Sequence, residues 1–310
     1  TLESVQRLQY DNFEVVLVDN GSTDGSREAI ATAFPAVRLI ASPTNLGVAG
    51  GRNLGIEAIL QQPDVDYVLF LDNDVTVEPS LLDKLVAAAK RDAALGIVGP
   101  IVYYHSDPQR IWSAGSRFIF RETICGLRLK NHLVTQELTE GVEYVDAISG
   151  CCMLAKRRVF ETIGCFNPHY FMVCDDSEFC CRAAKGGFRG GVVTHAKLWH
   201  KVSASTKGGY TPARAYYTAQ SMMLFLKAHG RPWHWASALT CVALSLPLAY
   251  LREWRRGNQH AVVMKFKGYL DGLLGRPVDP EVERYFLGTQ SSPLEETEAR
   301  YNGRNTTTES

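Results

Sequence analysis

The chain has 310 residues, 45% apolar and 21% charged, with 33 basic and 33 acidic side chains and no formal net charge. This ordinary globular composition excludes a collagen-like, coiled-coil or wholly disordered chain. The zero balance argues against a general nucleic-acid binder.

Phe13–Val18 is a continuous apolar run bounded by Asp19-Asn20-Gly21-Ser22, the pattern of a buried parallel strand. Ser22, Thr23 and Asp24 offer N-caps to a helix with Ala29, Ile30, Ala33 and Phe34 at helical spacing. Val37–Ile40 reads as a short strand, and the Gly-rich segment 45–55 leads into another helix. Tyr67–Leu71 reads as a buried strand ending in Asp72-Asn73-Asp74. Pro79-Ser80 opens a helix with Leu81, Leu82, Leu85, Val86 and Ala89 on one face, and Ile97–Tyr103 is a further strand. The alternation predicts an α/β protein with a doubly wound, mostly parallel sheet. Ligands of such sheets sit beyond the carboxyl ends of strands, where Asp19 and the Asp72/Asp74 pair fall.

Beyond residue 105 the alternation weakens, and residues 116–145 read as strands or a long loop. Gly150–Phe160 joins a small-residue turn, an apolar stretch and a basic helix start. A helix follows Asp175-Asp176-Ser177-Glu178, and residues 211–228 read as an amphipathic helix. Trp235–Leu251 is apolar but shorter than the roughly 20 residues of a spanning helix, and Trp233, Trp235, Tyr250 and Trp254 flank it as interfacial aromatics do. A buried helix pair, a membrane-surface helix and a span all stay open for it. Residues 289–310 are polar and expected to be disordered. The eight cysteines show no CxxC spacing, so reduced thiols are expected rather than a disulfide frame or zinc site.

Two carboxylates two residues apart, just past a buried strand, suit Mg²⁺ or Mn²⁺, which take oxygen ligands and share them with substrate phosphates. A polar turn is the plain alternative. The Gly-rich segment is neither a GxGxxG fingerprint nor a Walker A sequence. It allows close backbone approach to a ligand, and Arg52 can meet a phosphate bidentately or lie on the surface. Among Asp175, Asp176 and Glu178 one acid can serve as a general base, or all three can simply favour a helix N-terminus. His200, taken alone, reads as structural.

In this order VDNGSTDGS, NLGVAGGRNLG, LDNDV, SGCCMLAKRRVFETIGCFNPHYF, DDSEFCCRAAKGGFR and LWHKVSAS resemble the family 2 glycosyltransferases, inverting enzymes of the GT-A fold. The resemblance runs over residues 1–230, and the stretch from Ala215 to GYLDGLLGRP looks like the rhamnosyltransferase-like bacterial members. It implies that Asp19 holds the nucleotide base, that Arg52 lies against the nucleotide and that Asp72 lies near ribose and sugar. It implies further that Asp74 ligates the metal, that His200 stands near metal and diphosphate, and that Asp176 is the catalytic base with Asp175 beside it. The implied cofactor is Mg²⁺ or Mn²⁺. The implied partners are a nucleoside diphosphate sugar, with dTDP-rhamnose suggested, a glycan or lipid-linked acceptor and a membrane surface, with no nucleic acid. The implied location is cytoplasmic, on the inner face of the membrane.

On this reading residues 1–104 form the nucleotide-sugar half, lacking the family's first strand, and 105–210 the acceptor-binding and catalytic half. Residues 211–288 form a helical C-terminal extension and 289–310 a tail. Two departures stand out. Asn167-Pro168-His169 replaces a frequent acidic pair, and Ala219-Gln220 a frequent Arg-Asn. The rival readings are a non-catalytic sugar-nucleotide-binding scaffold and a nucleotidyltransferase. Retention of Asp74, Asp176 and His200 argues against the first. The second needs a Gly-rich phosphate loop near its N-terminus, in a region missing here.

Overall fold

The computed structural model describes residues 1–121, 123–134, 139–202 and 210–276, with Val278 and Val282. The 289–310 tail lies outside the described residues. In chain order come α1 (Leu2–Val5), β1 (Val16–Asn20), α2 (Ser26–Ala33), β2 (Arg38–Ser42), α3 (Gly47–Leu60), β3 (Tyr67–Leu71), β4 (Val75–Val77), α4 (Leu81–Arg91) and β5 (Leu95–Tyr104). There follow β6 (Ile111–Ser113), β7 (Ser116–Phe118), β8 (Cys125–Leu127), β9 (Val142–Val145), β10 (Cys152–Lys156), α5 (Arg157–Ile163), α6 (Asp175–Lys185) and β11 (Arg189–His200). Helices α7 (Pro212–His229), α8 (Pro232–Trp254) and α9 (Gln259–Leu274) complete the described elements.

β5 is buried along nearly its whole length, which its unbroken apolar sequence requires of a central strand. Its alternate side chains feed two cores: Ile97 and Ile101 enter one layer, and Val98 and Val102 the other. The second layer includes Leu81, Leu82, Leu85, Val86 and Ala89, the predicted inner face of α4.

The α/β architecture is as expected, but the sheet is mixed rather than mostly parallel. Its path is β3-β10-β5-β11-β4, with β6 on β5 and β9 on β11. β5 and β11 run parallel, as do β1 and β2 in a separate pair. β10 is antiparallel to both β3 and β5, and β4 is antiparallel to β11. The parallel expectation came from the helix crossovers of the first hundred residues. A strand from later in the chain inserts between β3 and β5, and local periodicity carries no information on that insertion.

The described residues fall into two units, Thr1–Gly209 with Ala228–Val242, and Tyr210–Lys227 with Ala243 onward. The first holds the sheet. The second is helical. Within it α9 approaches α7 closely, since a Cβ on Gly272 would lie 2.5 Å from the Gln220 carbonyl oxygen. The Tyr216 hydroxyl donates to the buried Asp271 carboxylate at 2.9 Å.

Two helices differ from expectation. α7 is buried almost all round, from Ala215, Tyr216 and Tyr217 to Phe225 and Leu226, so it is not amphipathic. α8 is long and apolar enough to cross a membrane by length and composition, and only 6% of its most apolar window is buried. The buried-helix-pair reading of Trp235–Leu251 is therefore not met.

Candidate functional site

The site begins at the end of β1. Asp19 is buried, and its Oδ1 accepts a hydrogen bond from the Ser22 amide at 3.1 Å. Its Oδ2 is ion-paired with Arg27 Nε at 3.5 Å and accepts no hydrogen bond among the described residues. That oxygen keeps lone pairs with which it can accept from an N–H group of a ligand.

Residue Asn20 stitches the next segment in place. Its Nδ2 donates to Asn45 Oδ1 and the Gly47 carbonyl, while its Oδ1 accepts from the Leu46 amide. The Gly-rich stretch does not merely precede a helix; α3 starts inside it, at Gly47, whose amide donates to Asn45 Oδ1 at 2.8 Å. Small residues are needed because α3 lies hard against β1. A Cβ on Gly51 would sit 3.1 Å from Asn20 Nδ2, and one on Gly55 3.3 Å from Val18.

This close packing brings Arg52 inward, leaving only 12% of its side chain exposed. Nη1 pairs with Asp175 Oδ2 at 2.5 Å. Nη2 pairs with Asp72 Oδ1 at 3.1 Å and donates to the Gly150 carbonyl at 2.9 Å. The guanidinium also lies near the rings of Phe166 and Phe70, 5.4 and 5.9 Å from their centroids. Strand register explains the meeting. Leu71 opposes Cys152 across the β3–β10 pair, and the Asp72 amide donates to the Cys151 carbonyl. The residue after β3 is thus set beside the turn before β10. Burial pushes the Asp175 carboxyl up and Arg52 pulls it back down, with the neighbouring Asp176 charge adding to the rise.

Asp72, Asp74 and His200 form the second part, with one ligand atom from each lying within 4.8 Å of the others. Pairing of β11 with β4 sets His200 opposite Val75, one residue past Asp74. His200 Nε2 is 3.1 Å from Asp74 Oδ1. Its Nδ1 is buried and has no hydrogen-bond partner among the described residues. Desolvation pushes Asp72 above the ordinary aspartate value, Arg52 and His200 oppose the rise, and the Asp74 charge adds to it.

Asp176, in the first turn of α6, is held at both oxygens. Oδ2 accepts from the Gly150 amide at 2.9 Å, and Oδ1 accepts from the amide and hydroxyl of Ser177 at 2.6 and 3.0 Å. The Cys125 thiol lies 3.2 Å from the Ser177 hydroxyl, and burial pushes that thiol up to about 12. All eight cysteines are unbridged.

Arg52, Asp72, Asp74, Asp175, Asp176 and His200 therefore share one polar network. Asp19 stands apart from it, at the end of the neighbouring β1–β2 pair. Sequence reasoning did not single out Asn20, Trp112, Gly150 or Ser177. Gly150 and Ser177 lie inside quoted motifs, and a small residue before an apolar strand was the available signal. Trp112, edge-on to His200, left none.

Residues 1–164 match the family described as Glycosyl transferase family 2. The chain is 31% identical over 217 residues to an N-acetylglucosaminyl-diphospho-decaprenol L-rhamnosyltransferase of Mycobacterium tuberculosis, covering 64% of this chain and 69% of that one. Two solved structures share the GT-A fold. GalNAc-T7 with UDP, GalNAc and Mn²⁺ superposes with a TM-score of 0.56 at 16% identity, over 73% of this chain and 44% of its own. The mannosyltransferase PcManGT from Pyrobaculum calidifontis, with GDP-Man and Mn²⁺, gives 0.50 at 19% identity, over 88% and 82%. On the extent of the family match and of the rhamnosyltransferase likeness, the chain belongs to glycosyl transferase family 2.

Proposed function

We propose that this glycosyltransferase moves a sugar from a nucleoside diphosphate sugar to a glycan or lipid-linked acceptor, with inversion at the anomeric carbon. The observation that carries the reading is the junction of the Asp72/Asp74/His200 cluster with Asp176 through Arg52 and Gly150. A diphosphate leaving group calls for positive charge, and an attacking hydroxyl calls for a base. Groups suited to each meet here.

The residues fit a divalent ion. Two carboxylates and an imidazole converge, a buried ring nitrogen lacks a partner among the described residues, and Asp72 carries a desolvation penalty that a cation would relieve. Asp72, Asp74 and His200 would hold Mg²⁺ or Mn²⁺, and the ion would supply positive charge to a diphosphate leaving group. Asp176 takes the proton of the acceptor hydroxyl as its oxygen attacks the anomeric carbon. A single displacement needs one base and no glycosyl-enzyme, and it inverts the centre. Asp19 Oδ2, buried without a hydrogen bond among the described residues, receives an N–H of the nucleotide base. Residues 1–104 then serve the donor and 105–210 the acceptor.

The finer assignments rest on likeness. The rhamnosyltransferase relative supports dTDP-rhamnose as donor and a lipid-linked saccharide as acceptor. A lipid-linked acceptor fits a cytoplasmic enzyme attached to the inner membrane face through the exposed apolar side chains of α8 and α9. The scaffold reading is disfavoured, because a site released from catalysis has no need to keep the Asp176 carboxylate held by three donors.

The test is a screen of UDP-, dTDP- and GDP-sugars for binding and hydrolysis, with and without Mn²⁺, with Asp74→Ala in parallel. Metal-dependent binding of one donor, lost in the variant, is expected. No donor binding by the folded protein would shift the weight to the scaffold.

A further inference from the structure

Gly150 uses both sides of its backbone. Its carbonyl accepts from Arg52 Nη2 at 2.9 Å, and its amide donates to Asp176 Oδ2 at 2.9 Å. Arg52 in turn holds Asp72 and Asp175. A continuous line of hydrogen bonds thus runs from Asp72 through Arg52 and Gly150 to Asp176.

Three further features make the line rigid. Nη2 spends both of its hydrogens, on Asp72 and on Gly150. The guanidinium is mostly buried, near two aromatic rings that limit its movement. Space beside Gly150 is filled by the guanidinium itself, since a Cβ there would lie 2.6 Å from both Nη1 and Nη2. Gly150 is not among the glycines with positive φ. Its missing side chain therefore serves the approach of Arg52, not backbone conformation.

We propose that Arg52 and the Gly150 peptide form a strut that sets the base Asp176 relative to Asp72, and that Arg52 is a positioning residue rather than a ligand of the donor phosphates. The proposal rests on Asp176 being the base. A bidentate guanidinium already committed to two carboxylates and a carbonyl has no fork left to offer a diphosphate. Its charge offsets the acids it joins, which keeps two acidic clusters tolerable side by side.

Arg52→Lys, Gly150→Ala and Asp176→Asn separate the possibilities. Lysine keeps the positive charge but cannot bridge three acceptors in fixed directions. Alanine at 150 keeps Arg52 intact and pushes it off the peptide. For each variant, kcat would be measured at saturating donor and acceptor, and the Kd of the matching nucleoside diphosphate with Mn²⁺ by calorimetry. Thermal unfolding would check the fold. The strut predicts that Arg52→Lys and Gly150→Ala each lower kcat at least about tenfold, with Kd held within about threefold, the scale on which a 1 Å misplacement costs rate. A Kd raised tenfold or more with kcat unchanged would make Arg52 a phosphate ligand and overturn the proposal. Should Gly150→Ala not fold, Arg52→Lys still decides. Asp176→Asn tests the underlying reading by itself. If it turns over like the wild type, the base assignment fails and the strut fails with it. If it is inactive while both strut variants keep kcat, only the strut is wrong.

Discussion

Trp112 meets the His200 ring edge to face, with centroids 4.8 Å apart, while His200 Nε2 lies 3.1 Å from Asp74 Oδ1. The indole thus packs on the imidazole from one side while Asp74 holds it from another, and it stands next to the cluster that would hold the ion. A paramagnetic Mn²⁺ there quenches the fluorescence of a neighbouring indole. Titration of Mn²⁺ with a nucleoside diphosphate is expected to quench a component that Trp112→Phe removes. Asp74→Ala should shift the midpoint by about tenfold or more, on the scale seen when groups around a metal are altered. An unchanged midpoint in Asp74→Ala would place the ion elsewhere.

Asp176→Asn preserves shape and removes the basic lone pair. General bases contribute about 10²–10⁴ in rate, so turnover is expected to fall by that order. Donor affinity should stay near the wild-type value, because Asp176 bonds only to Gly150 and Ser177 among the described residues. Single-turnover transfer and donor Kd, measured together, check both halves of the claim.

The candidate residues could be named one by one from the sequence. Asp72 and Asp74 follow an apolar run, Asp176 lies within a short acidic segment, and each such signal is local. What was not legible is non-local. The Gly-rich segment left Arg52 open to an anion or to the surface, and its acidic partners could not be read from it. The register of β3 on β10 brings Asp72 and Gly150 to Arg52, and no spacing within residues 45–55 encodes that register. The mixed sheet escaped for the same reason, since β10 is inserted by pairing and not by sequence order. Trp112 was invisible because its role depends on the edge of a strand reached from far along the chain.

Glu178 gives the acid limb of stability a defined origin. It is 2% exposed, and Arg182 Nε reaches both its oxygens at 2.8 and 2.9 Å. His229 Nε2 stands 3.3 Å from Oε1. Burial pushes the carboxyl up, but the bonds from His229 and Arg182 outweigh burial and hold it below its ordinary value of 4.5. A lowered folded value means stability that is complete above the unfolded value and lost as pH falls through the folded one. Melting temperature should therefore drop on acidification below the ordinary glutamate range. Glu178→Ala should lose about 3–5 kcal/mol at neutral pH, the usual consequence of removing one partner of a buried pair. It should also show a shallower fall in acid. An acid limb as steep as the wild type would show that Glu178 does not set it.

Helix α9 is apolar on two sides. One side carries Ala261, Met264, Gly268 and Gly272 and is buried. The other carries Val263, Phe266, Leu270, Leu273 and Leu274, each 42% exposed or more. Their spacing follows one stripe of a helix, as in helices that lie in a membrane interface. In α8, Leu244 and Leu248 are exposed at 68% and 67%, with Trp254 at 63% near the basic run Arg252, Arg255 and Arg256. Apolar side chains beside basic ones match an anionic bilayer surface, where each nearby cation adds about 1 kcal/mol. The protein should co-float with vesicles containing anionic lipid, and less with neutral vesicles or at high salt. Phe266→Glu with Leu270→Glu should cut vesicle binding about a hundredfold or more, since burying two such side chains is worth about 3 kcal/mol or more. The melting temperature should be unchanged, because both positions face outward. Equal flotation of variant and wild type would remove α9 from the membrane contact and leave α8 to account for it.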